Sequence, residues 1–315
     1  MAMSHNNPFS MPTLFDALER IRLSEETSAR LIKLHNLMTS EECESQFRDI
    51  ISNSKADDPE ALPKLVSLLT SDSDHFMKIV RNEHGSKRVQ KLLGISDDVD
   101  ALLYAAILRR FLDIMTDKYA SHVAIRAMLV FDTMEKFIMY NHVLYHGLDM
   151  ARTQYGCIAL NEVITDVGDP CYRKLLLDFV ACNAVCLSND PSGNFVVQHV
   201  LTLNDSVCTY NVAVGLFGHC VDLSFKKYGS YVVEKLLEAE ESRDVVVVEL
   251  LECEEDKLVR LARNEIGNFV VLKALKVTRG DRFDLFGDLV HKLKPIRDLL
   301  VRSHGSKIAN FLEAY

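Results

Sequence analysis

KKYGSYVVEKLLE, residues 226–238, decides the fold. Val232, Val233, Leu236 and Leu237 fall at helical spacing and share one apolar face. Ser230 and Glu234 lie one turn apart on the opposite face, with Tyr231 beside them. The first nine residues of this stretch have six counterparts: NEHGSKRVQ (82–90), DKYASHVAI (117–125), TQYGCIALN (153–161), DPSGNFVVQ (190–198), NEIGNFVVL (264–272) and RSHGSKIAN (302–310). A small residue sits in the middle of every copy, at Gly85, Ala120, Gly156, Gly193, Gly229, Gly267 and Gly305, in steps of 35 to 38 residues. A fixed period of that size marks stacked repeats rather than one central core.

Upstream of the fifth copy, NVAVGLFGHCVDL (211–223) is mostly apolar with helical spacing, and SFKKYG links it to the second helix. Each unit is therefore expected to be a helix pair, and no segment shows the strict alternation of a half-buried strand. The predicted fold is all-α: a curved right-handed α-solenoid of about seven helical repeats of about 36 residues. Residues 57–315 form the repeat array, with the last copy, near 302–315, as a capping half-repeat. Residues 1–56 are expected to be an N-terminal helical cap or degenerate repeats, with a capping box at TSEE (39–42) and a helix start at Asp58-Pro59.

The second helix of each copy, the signature helix, carries the information. The fourth copy puts Asn194, Phe195 and Gln198 outside and Val196, Val197, Val200 and Leu201 inside. Each repeat thus offers two polar side chains and one flat or cationic one at a single address. Repeated addresses of that kind suit single-stranded RNA, whose unstacked bases present free edges and π-faces. The competing reading is a protein-binding helical solenoid scaffold, in which the same pairs are only polar side chains facing water.

These residues resemble the Pumilio (PUF) family of RNA-binding proteins, and the resemblance covers roughly residues 57–315. It implies one base per repeat, with RNA running antiparallel to the chain. Asn with Gln then reads uracil, Ser with Glu guanine, and Ser or Cys with Gln adenine. Asn194/Gln198 with stacker Phe195 resembles a uracil site, Ser230/Glu234 with Tyr231 a guanine site, and Ser86/Gln90 with Lys87 an adenine site. Elementary chemistry agrees: a carboxylate accepts from the two donors on the guanine edge, and an amide both donates and accepts, as uracil requires. The remaining copies depart from the pattern. The sixth has Asn268 and Phe269 but Leu272, the third Cys157, Ile158 and Asn161, and the second Ser121, His122 and Ile125. Leu272 and Ile125 cannot hydrogen-bond a base edge, so those sites should be permissive. Ser306, Lys307 and Asn310 are expected to be cap residues without base contact. The implied target is 5′-UGUnnA in 3′ untranslated regions of mRNA, with regulation of translation or decay; a ribosomal RNA processing factor is the alternative. The resemblance also implies repressor or deadenylation proteins on the convex face; a monomer is expected, and the lack of a signal-peptide pattern points to a cytoplasmic location, with a nuclear or nucleolar one as the alternative.

Net charge is −9, unusual for a nucleic-acid binder. The distribution answers part of this, because Lys87, Arg88, His122, Arg126, Lys226, Lys227, Arg263, Lys273 and Lys307 are expected on the signature face, while EAEESRD (238–244) and ECEED (252–256) fall between repeats. No apolar run is long enough for a transmembrane helix, and the N-terminus lacks the basic and apolar regions of a signal peptide. The eight cysteines form no CxxC and are expected to be buried free thiols. His142 and His146 could share a helical face, but no third ligand lies nearby, so no metal site is expected. GSK at 85–87 and 305–307 lacks the upstream glycine of a phosphate loop. The chain is expected to be neither an enzyme nor a cofactor binder.

Overall fold

The computed structural model describes residues 28–54 and 60–314, and every regular element among the described residues is a helix. The chain divides into two compact units. One takes the residues up to Arg110 together with His122–Phe131; the other takes Phe111–Ser121 and everything from Asp132 onward.

In the second unit the signature helices are Gln154–Asp166, Gly193–Leu201, Lys227–Glu238, Gly267–Asp281 and Ser306–Glu313, and each packs against the next. A second row, Thr133–Ala151, Pro170–Cys182, Ser206–Leu216, Glu240–Glu252 and Phe283–Leu293, stacks in the same order. Two rows of helices that contact only their neighbours make an α-solenoid. The core is what the periodicity predicts: Val232, Val233, Leu236 and Leu237 are wholly buried, as are Val196, Val197 and Val200. Each such side chain is worth about 1.5–3 kcal/mol relative to exposure, which a lone repeat could not recover.

The third copy, Thr133–Ala151 with Gln154–Asp166, is a simple helix pair, but the others are not. In the fifth copy the first helix ends at Leu216, and a separate short helix, Cys220–Ser224, follows before the signature helix. Gly218 makes the break, with φ of 82°, a conformation that costs other residues. The buried Glu249 carboxylate then caps the short helix, accepting from the amides of Gly218 at 2.9 Å and Val221 at 3.0 Å. The segment 211–223, read from sequence as one helix, is therefore two, because its apolar spacing continues across a turn.

Crowding by a backbone carbonyl explains the recurring glycine. A Cβ at Gly229 would lie 2.7 Å from the Leu223 carbonyl oxygen, and one at Gly193 or Gly267 would lie 3.0 Å from that of Leu187 or Leu261. At Gly85 and Gly156 the clash would fall on the carbonyls of Ile79 and Met150. In these five copies the crowding carbonyl is six residues upstream; at Gly305 it is that of Ala262, in the sixth copy. The side chain three residues before the glycine also recurs in function: Asn82, Asp117, Thr153, Asp190 and Asn264 each accept from the amide of the small residue. Asn82 and Thr153 are thereby the N-caps of their signature helices, while Asp190 and Asn264 accept from within the turn just before theirs. In the fifth copy Lys226 takes this place and makes no side-chain cap.

In the first unit, Ala61–Thr70 packs on Asp97–Arg109, and Ser73–Val80 on the first signature helix, Glu83–Leu92. The N-terminal stretch forms a helix over 28–39, a short 3-10 turn, Glu41–Cys43, and the helix Glu44–Ser54. Arg88 ties it down. Its Nη1 donates to the Leu37 carbonyl at 2.8 Å, its Nε lies 3.2 Å from Glu44, and its guanidinium sits over the Phe47 ring. Arg88 is thus buried, with 1% of its surface exposed, and is absent from the basic face on which the sequence placed it. The expected capping box is also absent: the Thr39 hydroxyl donates back to the His35 carbonyl, and Ser40, the actual N-cap residue, makes no side-chain bond. The expected start at Asp58-Pro59 lies outside the described residues.

Candidate nucleic-acid interface

The signature helices present their addresses as the spacing requires. Ile158, Phe195, Tyr231 and Phe269 are exposed by 57, 58, 47 and 46%, although both residues that follow each of them are buried. Large apolar side chains rarely stand out at one repeated register without a role. In the first unit Lys87 and His122 occupy the same position and are likewise exposed.

Beside each of these lies the paired address. The first member, Ser86, Ser121, Cys157, Asn194, Ser230 or Asn268, is buried by the start of its helix. The second member, one turn on, is half-buried at Gln90, Asn161, Gln198 and Glu234. At Ile125 and Leu272 it is buried and apolar, so those two helices offer no second polar group.

The fourth copy shows how one pair is oriented. The Asn194 amide nitrogen donates to the carbonyls of Asp190 at 2.8 Å and Pro191 at 2.9 Å. Two backbone acceptors allow only the nitrogen there, so the Asn194 oxygen must face outward. It accepts from the Gln198 amide at 2.8 Å. Gln198 is left with one N–H and its carbonyl oxygen for a ligand. The first copy resembles it: Gln90 donates to the Ser86 hydroxyl at 3.0 Å.

The sixth copy has the same anchor without the partner. Asn268 donates to the carbonyls of Asn264 and Glu265, but Leu272 supplies no donor for its oxygen. The fifth copy is electrostatically distinct. Ser230 donates to the Lys227 carbonyl, and Glu234 makes no hydrogen bond among the described residues. Burial raises the Glu234 carboxyl above its usual value; Lys273 pulls it down in part and Glu238 pushes it up. Lys273 and Lys235 both bind Glu238, at 2.8 and 2.9 Å, which keeps these cations beside the site. Sequence reasoning missed this network, although the i,i+4 spacing of Glu234 and Glu238 could have shown it.

In the third copy the Cys157 thiol donates to the Gln154 carbonyl at 3.3 Å, and burial raises its pKa. The Asn161 oxygen is buried without a partner. Ser306, Lys307 and Asn310 of the seventh copy are exposed, and the Lys307 ammonium lies 5.5 Å from the centre of the Phe269 ring.

Outside the addresses, His142 packs tilted and His146 stacked against Phe111, their ring centres 5.2 and 6.3 Å from its own. Among the cysteines, Cys157, Cys208 and Cys220 are buried as expected, but Cys171, Cys182 and Cys186 are exposed. No helix among the described residues is long and apolar enough to cross a membrane.

A stack of signature helices bearing exposed rings and oriented polar pairs defines a repeat protein built for an extended ligand. Comparison with known proteins agrees. The family model described as the Pumilio-family RNA binding repeat matches residues 110–144, 183–206 and 219–251. The chain is 59% identical to Pumilio homolog 18 of Arabidopsis thaliana over 322 aligned residues, covering 98% of each. It therefore belongs to the Pumilio family. Among solved structures it resembles a Puf4 mutant bound to the Cox17 RNA 3′ UTR recognition sequence, with a TM-score of 0.72 and 22% identity over 93% of this chain and 98% of that one. It also resembles PUF-8 in complex with PBE-RNA, with a TM-score of 0.65 and 19% identity over 91% and 90%. At those identities the two structures speak for the fold alone.

Proposed function

We propose that this chain binds single-stranded RNA sequence-specifically, one base per repeat, at a target resembling 5′-UGUnnA in 3′ untranslated regions of mRNA, and thereby regulates translation or decay. The observation that carries the proposal is the oriented pair beside an exposed ring. Three neighbouring copies differ in what their pairs offer, and the differences match three bases in order.

At the fourth copy, Gln198 presents one donor and one acceptor, which match O4 and N3–H of uracil, while Phe195 stacks on the ring. At the fifth, the unpartnered Glu234 carboxylate accepts from N1–H and N2–H of guanine, a donor pair no other base presents. Glu234 is held in a partly desolvated place, so a missing guanine leaves a costly unpaired charge. At the sixth, the Asn268 oxygen accepts from N3–H of uracil, Phe269 stacks, and Leu272 leaves O4 to water. Read in antiparallel sense, copies six, five and four spell U, G, U, and the Ser86/Gln90 pair of the first copy takes the closing A.

The test is pull-down of a random RNA pool by the full chain, with sequencing. Enrichment of UGU followed two bases later by A is the expected result. A pool returned without a UGU motif would leave the face to a protein ligand.

A further inference from the structure

The charges beside the guanine address come from two copies. Glu238 ends the fifth signature helix, Lys227–Glu238, one turn after Glu234 and on the same face. It accepts at 2.8 Å from Lys273, which stands 35 residues on in the sixth signature helix, Gly267–Asp281. It also accepts from Lys235 of its own helix at 2.9 Å. The two lysines share one carboxylate but differ in what else they face. Lys235 follows Glu234 directly, and neighbours in sequence do not face each other on a helix. Lys273 reaches Glu238 from the adjoining signature helix, which brings its charge to the face that Glu234 occupies.

Glu234 needs such a charge. It is half-buried, and burial favours the protonated carboxyl, which cannot accept from both guanine donors as the ionised one does. A nearby cation favours the ionised form. Against the raising effect of burial, Lys273 pulls the Glu234 carboxyl down, and Glu238 pushes it up. Other charged groups on the helices packed against this one are engaged elsewhere: His199 with Thr165, Asp222 with Lys257, Arg243 with Asp281, and Glu249 with two backbone amides.

We propose that the guanine address is shared between copies: Lys273 of the sixth copy, held in place by Glu238, is a positioning residue that keeps the Glu234 carboxylate of the fifth ready to accept from guanine. The proposal rests on the reading of Ser230 and Glu234 as the guanine site. It gives the sixth copy, whose own pair is incomplete at Leu272, a second task. Guanine readout then depends on the helix that follows the reading helix as well as on the reading helix itself.

The experiment titrates the full chain with UGU and UUU RNAs between about pH 8 and about pH 5, above the ordinary carboxylate value. The readout is the ratio of the two affinities, in which the loss of a plain phosphate contact cancels. In the wild type the ratio should fall toward acid pH. Lys273→Gln should start that fall at higher pH and leave a preference for UGU several-fold smaller than the wild type's at the acid end. Lys273→Arg should restore the wild-type profile. Lys235→Gln, which removes the same charge from the same Glu238, should leave the profile where it is. A Lys273→Gln profile that coincides with the wild type's overturns the proposal, and so does an equal displacement by Lys235→Gln. A wild type with no preference for UGU even at neutral pH overturns the reading of the guanine site instead, and that result is visible separately.

Discussion

Leu272 and Glu234 show how much a single side chain decides. Asn268 is anchored by two backbone carbonyls just as Asn194 is, yet only Asn194 has an amide one turn away to orient. Leu272→Gln should therefore place an N–H on the waiting Asn268 oxygen and present a full uracil edge. Preference for UGU over AGU and CGU should sharpen by about 1 kcal/mol, the net value of one hydrogen bond. Unchanged ranking of the three RNAs in a titration would show that the sixth copy is wrongly registered. Glu234 titrates on a different principle. Its carboxyl is raised in the folded protein, so the folded state keeps the proton to higher pH than the unfolded chain does. Stability from this group is thus fullest at low pH and falls as pH rises from the ordinary carboxylate value through the raised one. Guanine needs the ionised form, so affinity for UGU should weaken as pH falls through that window, whereas affinity for a UUU control should not. Glu234→Gln should remove the pH dependence of UGU binding and slightly raise melting temperature at neutral pH. A UGU affinity flat across that window would contradict a carboxylate contact. The residue types and their address were legible in the sequence. The orientation of each amide was not, because it is set by backbone carbonyls that only the folded turn brings close.

At the scale of the element, the short helix before the fifth signature helix is the feature the sequence concealed. Its apolar residues keep the helical period of the preceding helix, and the break at Gly218 has no periodic signature. The small residue of each copy was legible as a repeat marker, but the reason for glycine in five of them, a carbonyl six residues upstream, was not. The acceptor three residues before that small residue could have been read from Asn82, Asp117, Thr153, Asp190 and Asn264. The fifth copy breaks the rule. Lys226 has φ of −105° and ψ of 139°, already the extended conformation of an N-cap, but no side-chain acceptor. Lys226→Asn should supply one and stabilise the protein by about 1 kcal/mol, seen as a higher melting temperature. A lower melting temperature would mean that Lys226 does something in this turn that a cap cannot replace. Gly229→Ala in the same helix should do the reverse, since its methyl would press on the Leu223 carbonyl at 2.7 Å.

At the scale of the molecule, stability is shared between neighbours. The seventh copy covers the sixth signature helix, with Ile308, Ala309 and Leu312 buried in its own helix. Deleting 301–315 should bare the apolar side of the Gly267–Asp281 helix and lower the melting temperature or cause aggregation. A truncated chain that stays soluble with unchanged melting would show that the last copy contributes nothing to the stack. The all-α repeat class was readable from the spacing of seven small residues, because stacked repeats write their period directly into the chain. The anchoring of residues 28–54 through Arg88 was not, since a buried arginine in a polar stretch looks like any surface cation.

The central claim is that Ser230 and Glu234 read guanine because of what their edge offers, and it is tested most directly by exchanging that edge for the one in the fourth copy. Affinities of UGU and UUU RNAs are measured for the wild type and for Ser230→Asn with Glu234→Gln. The wild type should prefer UGU by about 1–3 kcal/mol, and the double variant should prefer UUU. Equal affinity of the wild type for both RNAs, or a variant that still prefers UGU, would contradict the account.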